Sequence, residues 1–253
     1  MTLAIRRQHA VTAGDRGGAG VAAMPPRIHD VMQALAHAID GFELPAVEKI
    51  AEHRQEDPFH VLIATLLSAR TQDATTLAAS TRLFRAARTP RTMAKLTPRQ
   101  IEKLIYPVSF YRHKARHVIA TCRLLADRYK GQVPSTMEEL LTLPGVGRKT
   151  ANLVLILAFK SSKNICVDTH VHRISNRLGW VRTKTPEETE DALYSVTERR
   201  WWPYLNLYLV TWGQNVCRPV HPRCKTCVIR PYCRRVGVSN VAAGVVTTPA
   251  NSG

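Results

Sequence analysis

The segment that most constrains the fold is a glycine-containing turn at residues 143–150, Leu-Pro-Gly-Val-Gly-Arg-Lys-Thr. Apolar residues recur at helical spacing on both sides of it, so the pattern predicts a helix, a tight hairpin and a second helix over residues 148–159. Gly145 and Gly147 would allow the turn and leave backbone N–H groups exposed, and a helix N-terminus attracts anions. The segment therefore predicts a phosphate-binding hairpin, although an ordinary corner between two helices could have a similar sequence.

Helical patterns also dominate the rest of the chain. Residues 59–68 are apolar on nearly all sides, which predicts a buried central helix. Capping boxes mark two further helix starts, Thr97 with Gln100 and Ser135 with Glu138. No segment alternates between apolar and polar residues for long enough to form a sheet. We therefore predict an all-α fold of about ten short helices.

The charge of the chain points to a polyanionic partner. Lys and Arg number 36 against 19 Asp and Glu, for a formal net charge of +17. Nucleic acid is the first candidate, although a ribosomal or membrane-surface protein could have the same balance. No apolar run approaches the roughly 20 residues of a membrane helix. Residues 1–25 lack a secretory signal core and are predicted to form a disordered basic arm, so we expect an intracellular protein in the bacterial cytoplasm, associated with DNA.

Four of the six cysteines lie close together near the C-terminal end, in the order Cys217, Cys224, Cys227 and Cys233. Four thiolates at these spacings can bind either a tetrahedral zinc ion or an iron–sulfur cluster. Zinc ribbons usually pair two Cys-x2-Cys motifs, whereas this run has one such pair between longer spacers, which favours a [4Fe–4S] cluster. Disulfides are the weaker alternative in an intracellular chain.

Three motifs occur in order along the chain: Leu-Pro-Gly-Val-Gly-Arg-Lys-Thr-Ala from residue 143, Val-Asp-Thr-His at 167–170, and the cysteine run. Together they resemble the endonuclease III family of the helix-hairpin-helix DNA glycosylase superfamily, over about residues 28–237. The resemblance implies a two-lobed all-α enzyme with its active site between the lobes. The segments it implies are a six-helix lobe with the hairpin (51–161), a cluster lobe (26–50 and 162–237) and a flexible tail (238–253).

The resemblance also implies two catalytic residues, with Lys149 as the nucleophile and Asp168 as its partner carboxylate. A damaged base must leave the stack before an amine can reach its sugar carbon. A Lys amine that attacks C1′ displaces the base and forms a Schiff base, which permits β-elimination of the 3′ phosphate. Because a Lys amine is ordinarily an ammonium at neutral pH, we interpret Asp168 as a proton acceptor or as a stabiliser of positive charge on the sugar. Without the resemblance, Asp168 could be only a helix N-cap and Lys149 only a phosphate contact.

The expected activity is that of a bifunctional DNA glycosylase and apurinic/apyrimidinic lyase, a monomer that removes oxidised pyrimidines from duplex DNA. Besides Gly145 and Gly147, the expected DNA contacts are Arg148, His170, Arg70 and Phe110. Arg70 stands where the family commonly has Gln, and it would enter the gap opposite the flipped nucleotide. Phe110 stands in the family's wedge loop, although a core aromatic is the alternative interpretation.

Two other functions fit parts of the pattern. Adenine-mismatch glycosylases share the lobes and the cluster, but they lack a Lys at the hairpin position and usually add a C-terminal domain. A catalytically silent iron–sulfur DNA-binding protein would need neither Lys149 nor Asp168. The presence of both residues favours the bifunctional glycosylase.

Overall fold

The computed structural model describes residues 28–55 and 57–238. This part of the chain contains twelve α-helices, four short 3-10 helices and no strand, which confirms the all-α prediction. The α-helices are α1 (Ile28–Ala38), α2 (Ala46–His53), α3 (Pro58–Ser68), α4 (Asp73–Ala86), α5 (Pro90–Met93), α6 (Pro98–Ile105), α7 (Tyr111–Arg128), α8 (Met137–Leu140), α9 (Arg148–Phe159), α10 (Thr169–Leu178), α11 (Pro186–Val196) and α12 (Trp202–Asn215). The predicted disordered arm and all but the first residue of the predicted tail lie outside the described residues.

Side-chain caps determine where several of these helices begin. At α6 the predicted capping box is present: Gln100 N donates to Thr97 Oγ1 (3.3 Å), and Thr97 N donates to Gln100 Oε1 (2.7 Å). The helix expected to start at Ser135 is capped one residue further along, because Thr136 is the N-cap of α8 and accepts from Glu139 N (3.3 Å). Both Ser and Thr are favoured at N-caps, so the sequence was compatible with both registers.

The helices pack around two hydrophobic cores. In the first core α3 is central, and every residue from Phe59 to Leu67 is buried, as the apolar run predicted. Helices α2, α4 and α9 pack directly against α3. The second core joins α1, α10 and α12 to the residues that follow α12.

The boundary between the two lobes differs from the expected one. The sequence assigned residues 26–50 to the cluster lobe, but this limit falls inside α2. Val47 and Ile50 of α2 are buried in the first core, whereas Ile39 is buried in the second. The chain therefore passes from one lobe to the other just before α2. None of the described helices combines the length and the apolarity needed to cross a membrane.

Candidate active site

The predicted hairpin connects α8 to α9. Gly145 has a positive φ of +80°, and a Cβ atom there would lie 2.7 Å from His117 Nδ1, so both the turn and its packing require glycine. Gly147 is the N-cap of α9 and has ordinary extended backbone. A Cβ atom at Gly147 would meet nothing within 4 Å. The turn itself does not require this glycine, which instead leaves the N-terminus of α9 open to a close ligand.

Lys149 and Asp168 both line one cleft of about 1080 Å³, to which residues of both cores contribute. Lys149 is the second residue of α9 and is half-buried. Asp168 is the N-cap of α10, and its Oδ1 accepts from His170 N (2.8 Å) and Val171 N (2.9 Å). Asp168 therefore combines the N-cap geometry with a place in the cleft.

His170 also lines the cleft and is half-buried. Burial lowers its pKa, as does the nearby Arg173, while Asp168 acts in the opposite direction. Its Nδ1 lies 3.0 Å from Arg173 Nη2. Because a guanidinium can only donate, Nδ1 is the acceptor and the ring proton is on Nε2. The structure thus holds His170 as a neutral imidazole near pH 7.

Two acidic residues in the cleft were missed by the sequence analysis, Glu48 on α2 and Asp73 at the start of α4. Asp73 Oδ2 accepts from Ala46 N (3.1 Å) and from Gln214 Nε2 (3.0 Å), so it connects α4 to α2 and to α12 of the other lobe. Glu48 is only 6% exposed, and burial raises its pKa to about 7. Nothing in the local sequence indicates this burial, because an amphipathic helix normally exposes its Glu side chains.

Arg148 bridges the two lobes. Its Nη2 donates to Glu190 Oε1 (2.8 Å) and to Asp191 Oδ1 (3.1 Å) on α11. The Glu190 side chain is buried, and half of the Arg148 side chain is exposed. The guanidinium expected to contact phosphate thus has acidic partners within the protein.

The structure brings Arg70 and Phe110 together. Both have left-handed backbone, with φ of +54° and +56°, and the Arg70 guanidinium lies 6.0 Å from the centre of the Phe110 ring. Phe110 is 60% exposed, which excludes the alternative of a core aromatic. Of the two, Arg70 also lines the cleft.

Lys114, another residue that the sequence analysis missed, holds the loop that contains Arg70. It is 8% exposed, and its Nζ donates to Leu67 O (2.7 Å), Ala69 O (2.6 Å) and Thr71 Oγ1 (3.1 Å). Thr71 Oγ1 also accepts from Ser109 N (3.2 Å), next to Phe110. Burial lowers the pKa of Lys114 to about 8, and nearby Lys149 contributes to this shift. One buried cation therefore anchors both loops.

The four cysteines of the C-terminal run are free and half-buried, and all four line one small cavity. Arg177 Nη1 donates to Cys217 Sγ and Arg235 N donates to Cys233 Sγ, both over 3.4 Å. Within the described residues, no three His, Cys, Asp or Glu side chains are arranged to hold a single metal ion. Four thiols that line one cavity have the chemistry of Cys₄ ligation, which both zinc sites and iron–sulfur clusters use.

Comparisons with known proteins agree with this geometry. Residues 63–199 match the model of the HhH-GPD superfamily base excision DNA repair protein family. Endonuclease III of Thermotoga maritima is 48% identical over 192 residues, which cover 75% of this chain and 90% of that protein. A chloroplastic endonuclease III homologue of Arabidopsis thaliana is 46% identical, and the match spans 71% of this chain and 48% of that protein.

A solved structure of a trapped endonuclease III–DNA covalent intermediate has a TM-score of 0.73 and 32% sequence identity. It covers 85% of this chain and 97% of its own. The match therefore includes both lobes and the cleft between them. The chain belongs to the endonuclease III family, within the HhH-GPD superfamily of base excision DNA repair proteins.

Proposed function

We propose that this protein is a base excision repair DNA glycosylase with apurinic/apyrimidinic lyase activity, which removes oxidised pyrimidines from double-stranded DNA. The observation that carries the proposal is the meeting of Lys149 and Asp168 in one cleft, directly behind the open N-terminus of α9. The similar solved structure is described as a trapped covalent intermediate with DNA, which supports covalent chemistry at the same place. The enzyme would act inside the cell as a monomer.

The hairpin would bind the DNA backbone beside the damaged nucleotide. The exposed Gly147 and the N-terminus of α9 offer backbone N–H groups and a positive dipole to a phosphate. Lys149, two residues further along, would attack C1′ of the flipped nucleotide, displace the base and form a Schiff base, and β-elimination would then cleave the strand 3′ to the abasic site. Asp168 uses Oδ1 for the helix cap, which leaves Oδ2 available to stabilise positive charge on the sugar.

Arg70 and Phe110 would occupy the space that the flipped nucleotide leaves. Arg70 would fill the gap opposite that nucleotide, and Phe110 would stack on a neighbouring base. His170 and the free edge of the Arg148 guanidinium would add contacts to the DNA backbone. Because the Arg70 guanidinium lies 6.0 Å from the centre of the Phe110 ring, the two side chains would act together. From its place in the gap, Arg70 would influence which opposite base is accepted.

We infer that Cys217, Cys224, Cys227 and Cys233 hold a [4Fe–4S] cluster. When bound, the cluster would supply a covalent connection between the four segments that carry these cysteines, and so give the loop a fixed shape. Basic residues alternate with the cysteines in this loop: Arg218, His221, Arg223, Lys225, Arg230, Arg234 and Arg235. A loop of fixed shape would present these charges to DNA phosphates.

Borohydride trapping tests the proposed reaction. The substrates are two duplexes, one with thymine glycol and one with an abasic site. We expect a covalent adduct with both, because borohydride reduces the Schiff base to a stable amine. The Lys149→Ala variant should form none, whereas Lys103→Ala, an exposed position on α6, should behave as the unmodified protein does.

Each other outcome has a defined meaning. If the unmodified protein forms no adduct with either duplex, the lyase assignment is wrong. If it is trapped only at the abasic site, the protein is a lyase without the proposed base specificity. Excision of adenine opposite an oxidised guanine, tested on a third duplex, would instead support the adenine-mismatch alternative.

A further inference from the structure

Glu48 is a buried carboxyl group in the cleft that the reaction described so far does not use. It lies on α2 and is 6% exposed. It is close enough to Asp73, Lys149 and Asp168 to interact electrostatically with all three. The charged or titratable groups that line the same cleft are Glu43, Lys49, Arg70, Asp73, Lys149, Asp168 and His170.

The other two carboxyl groups near Lys149 have structural hydrogen bonds. Asp168 Oδ1 accepts from two backbone amides at the start of α10. Asp73 Oδ2 accepts from Ala46 N and from Gln214 Nε2, and so connects the lobes. If either took up a proton, it would weaken bonds that hold the cleft together. Glu48 has no such connecting role among the hydrogen bonds of the described residues.

We propose that Glu48 accepts the proton that Lys149 must lose before its amine attacks C1′. This inference rests on the proposed function and adds a residue to it. One N–H bond of the ammonium breaks, its electron pair stays on Nζ, and the proton binds a carboxylate oxygen of Glu48. The lone pair of Nζ then forms the bond to C1′. The transfer leaves Nζ as a neutral amine and Glu48 as a neutral acid, and burial favours the neutral form of Glu48.

The environment of Glu48 suits this role. The pKa of Glu48 is raised to about 7, chiefly by burial; the charges of Asp73 and Asp168 act in the same direction, while a hydrogen bond with its own backbone and the charge of Lys149 act in the opposite direction. Near neutral pH both the acid and the carboxylate are therefore populated. A group with a pKa near the working pH is the most effective in proton transfer, because it can accept a proton and later return it. Asp168 can then remain a fixed stabiliser of charge.

The test is the pH dependence of adduct formation on an abasic-site duplex, measured in single turnover with borohydride. We expect the rate of the unmodified protein to rise up to pH 7 and then level off, since the carboxylate form of Glu48 is required. In Glu48→Gln the rate should no longer level off near pH 7, and it should keep rising towards alkaline pH. At pH 7.5 the variant should be slower by on the order of 100-fold, with unchanged affinity for the duplex.

Glu52→Gln is the matched control, because Glu52 is an exposed residue on the same helix. It should keep the rate and the pH profile of the unmodified protein. If Glu48→Gln keeps them as well, the inference is wrong. If the unmodified protein forms no adduct at any pH, the proposed function fails instead.

A second measurement does not depend on how the Glu48→Gln variant folds. In carboxyl-labelled unmodified protein, the ¹³C signal of one Glu should titrate near pH 7, and that titration should move to higher pH in Lys149→Ala, which removes a neighbouring positive charge. If every Glu titrates near the ordinary value of about 4.3, the inference is overturned.

Discussion

Lys114 illustrates how much a single side chain can determine at this site. A Lys on an amphipathic helix is normally exposed, yet Lys114 is buried and donates three hydrogen bonds at the end of α3. It stabilises the left-handed conformation of Arg70 and connects the Arg70 loop, through Thr71, to the loop of Phe110. The positions of Arg70 and Phe110, which we propose contact the DNA, therefore depend on a buried cation.

Lys114→Met should destabilise the protein and loosen the Arg70 loop. The change keeps most of the side-chain length but removes the Lys114 donor from the carbonyls of Leu67 and Ala69, of which Ala69 O keeps only the Thr71 hydroxyl. We expect a cost of about 2 kcal/mol in the free energy of unfolding. Urea denaturation measures the loss, and Lys103→Met, an exposed position, should stay within about 0.5 kcal/mol of the unmodified protein. Equal stability of the two variants would show that the Lys114 hydrogen bonds contribute nothing.

Among single residues, those that belong to local motifs could be predicted from the sequence. Gly145, Lys149 and Asp168 lie in or next to helix caps, whose geometry depends on neighbouring residues. Glu48 and Lys114 could not be found in the same way, because their burial depends on helices that are distant in sequence. A charged side chain on an amphipathic helix is normally exposed, so charge and helical periodicity do not indicate that either side chain is buried.

Among the elements, the N-terminus of α9 is important because it carries the hairpin, the proposed nucleophile Lys149 and the connection through Arg148 to the second lobe. Arg148 connects this end of α9 to Glu190 and Asp191 on α11, 42 and 43 residues away. The interaction with Glu190 raises the pKa of Arg148 and holds its charge beside the acids. This ion pair therefore connects the start of α9, next to Lys149, directly to α11.

Arg148→Met should destabilise the contact between the lobes. The buried Glu190 loses its cation, which costs roughly 2 kcal/mol, less than for a fully buried pair because half of the Arg148 side chain is exposed. In the double variant Arg148→Met with Glu190→Gln, most of this loss should be recovered, because no unpaired charge remains. Urea denaturation of the three proteins measures the effect. Equal stabilities for the single and double variants would mean that Glu190 does not depend on Arg148.

Helix boundaries were predicted well where a cap fixes them, and less well where packing does. The range of α9 matches the expected one because Gly147 marks its start. The twelve helices of the described residues outnumber the predicted ones partly because α5 has only four residues, too few for a periodic pattern. Helix α2 belongs to the first lobe because Val47 packs in the first core. This packing is a long-range contact, so the local sequence does not indicate it.

At the scale of the whole molecule, two cores that share no buried residue form one cleft. The first core is large, and α3 lies buried at its centre. The second core is smaller and includes three cysteines of the C-terminal run, Cys217, Cys227 and Cys233, packed against it. A bound metal cluster stabilises the folded state by its binding free energy. The stability of the second lobe should therefore depend on the cluster much more than the stability of the first lobe does.

Removal of the proposed cluster, with an oxidant and an iron chelator, should therefore destabilise one lobe only. The starting protein should be brown and contain iron and inorganic sulfide in equal amounts. After treatment, hydrogen exchange should become faster in α10 and in the loop from Cys217 to Cys233, because their shared support is gone. Exchange in α3 should stay slow, because its core contains none of the four ligands. Equal loss of protection in both lobes would contradict the separation of the cores. The cluster assignment would be overturned if protein prepared without oxygen were colourless and contained stoichiometric zinc.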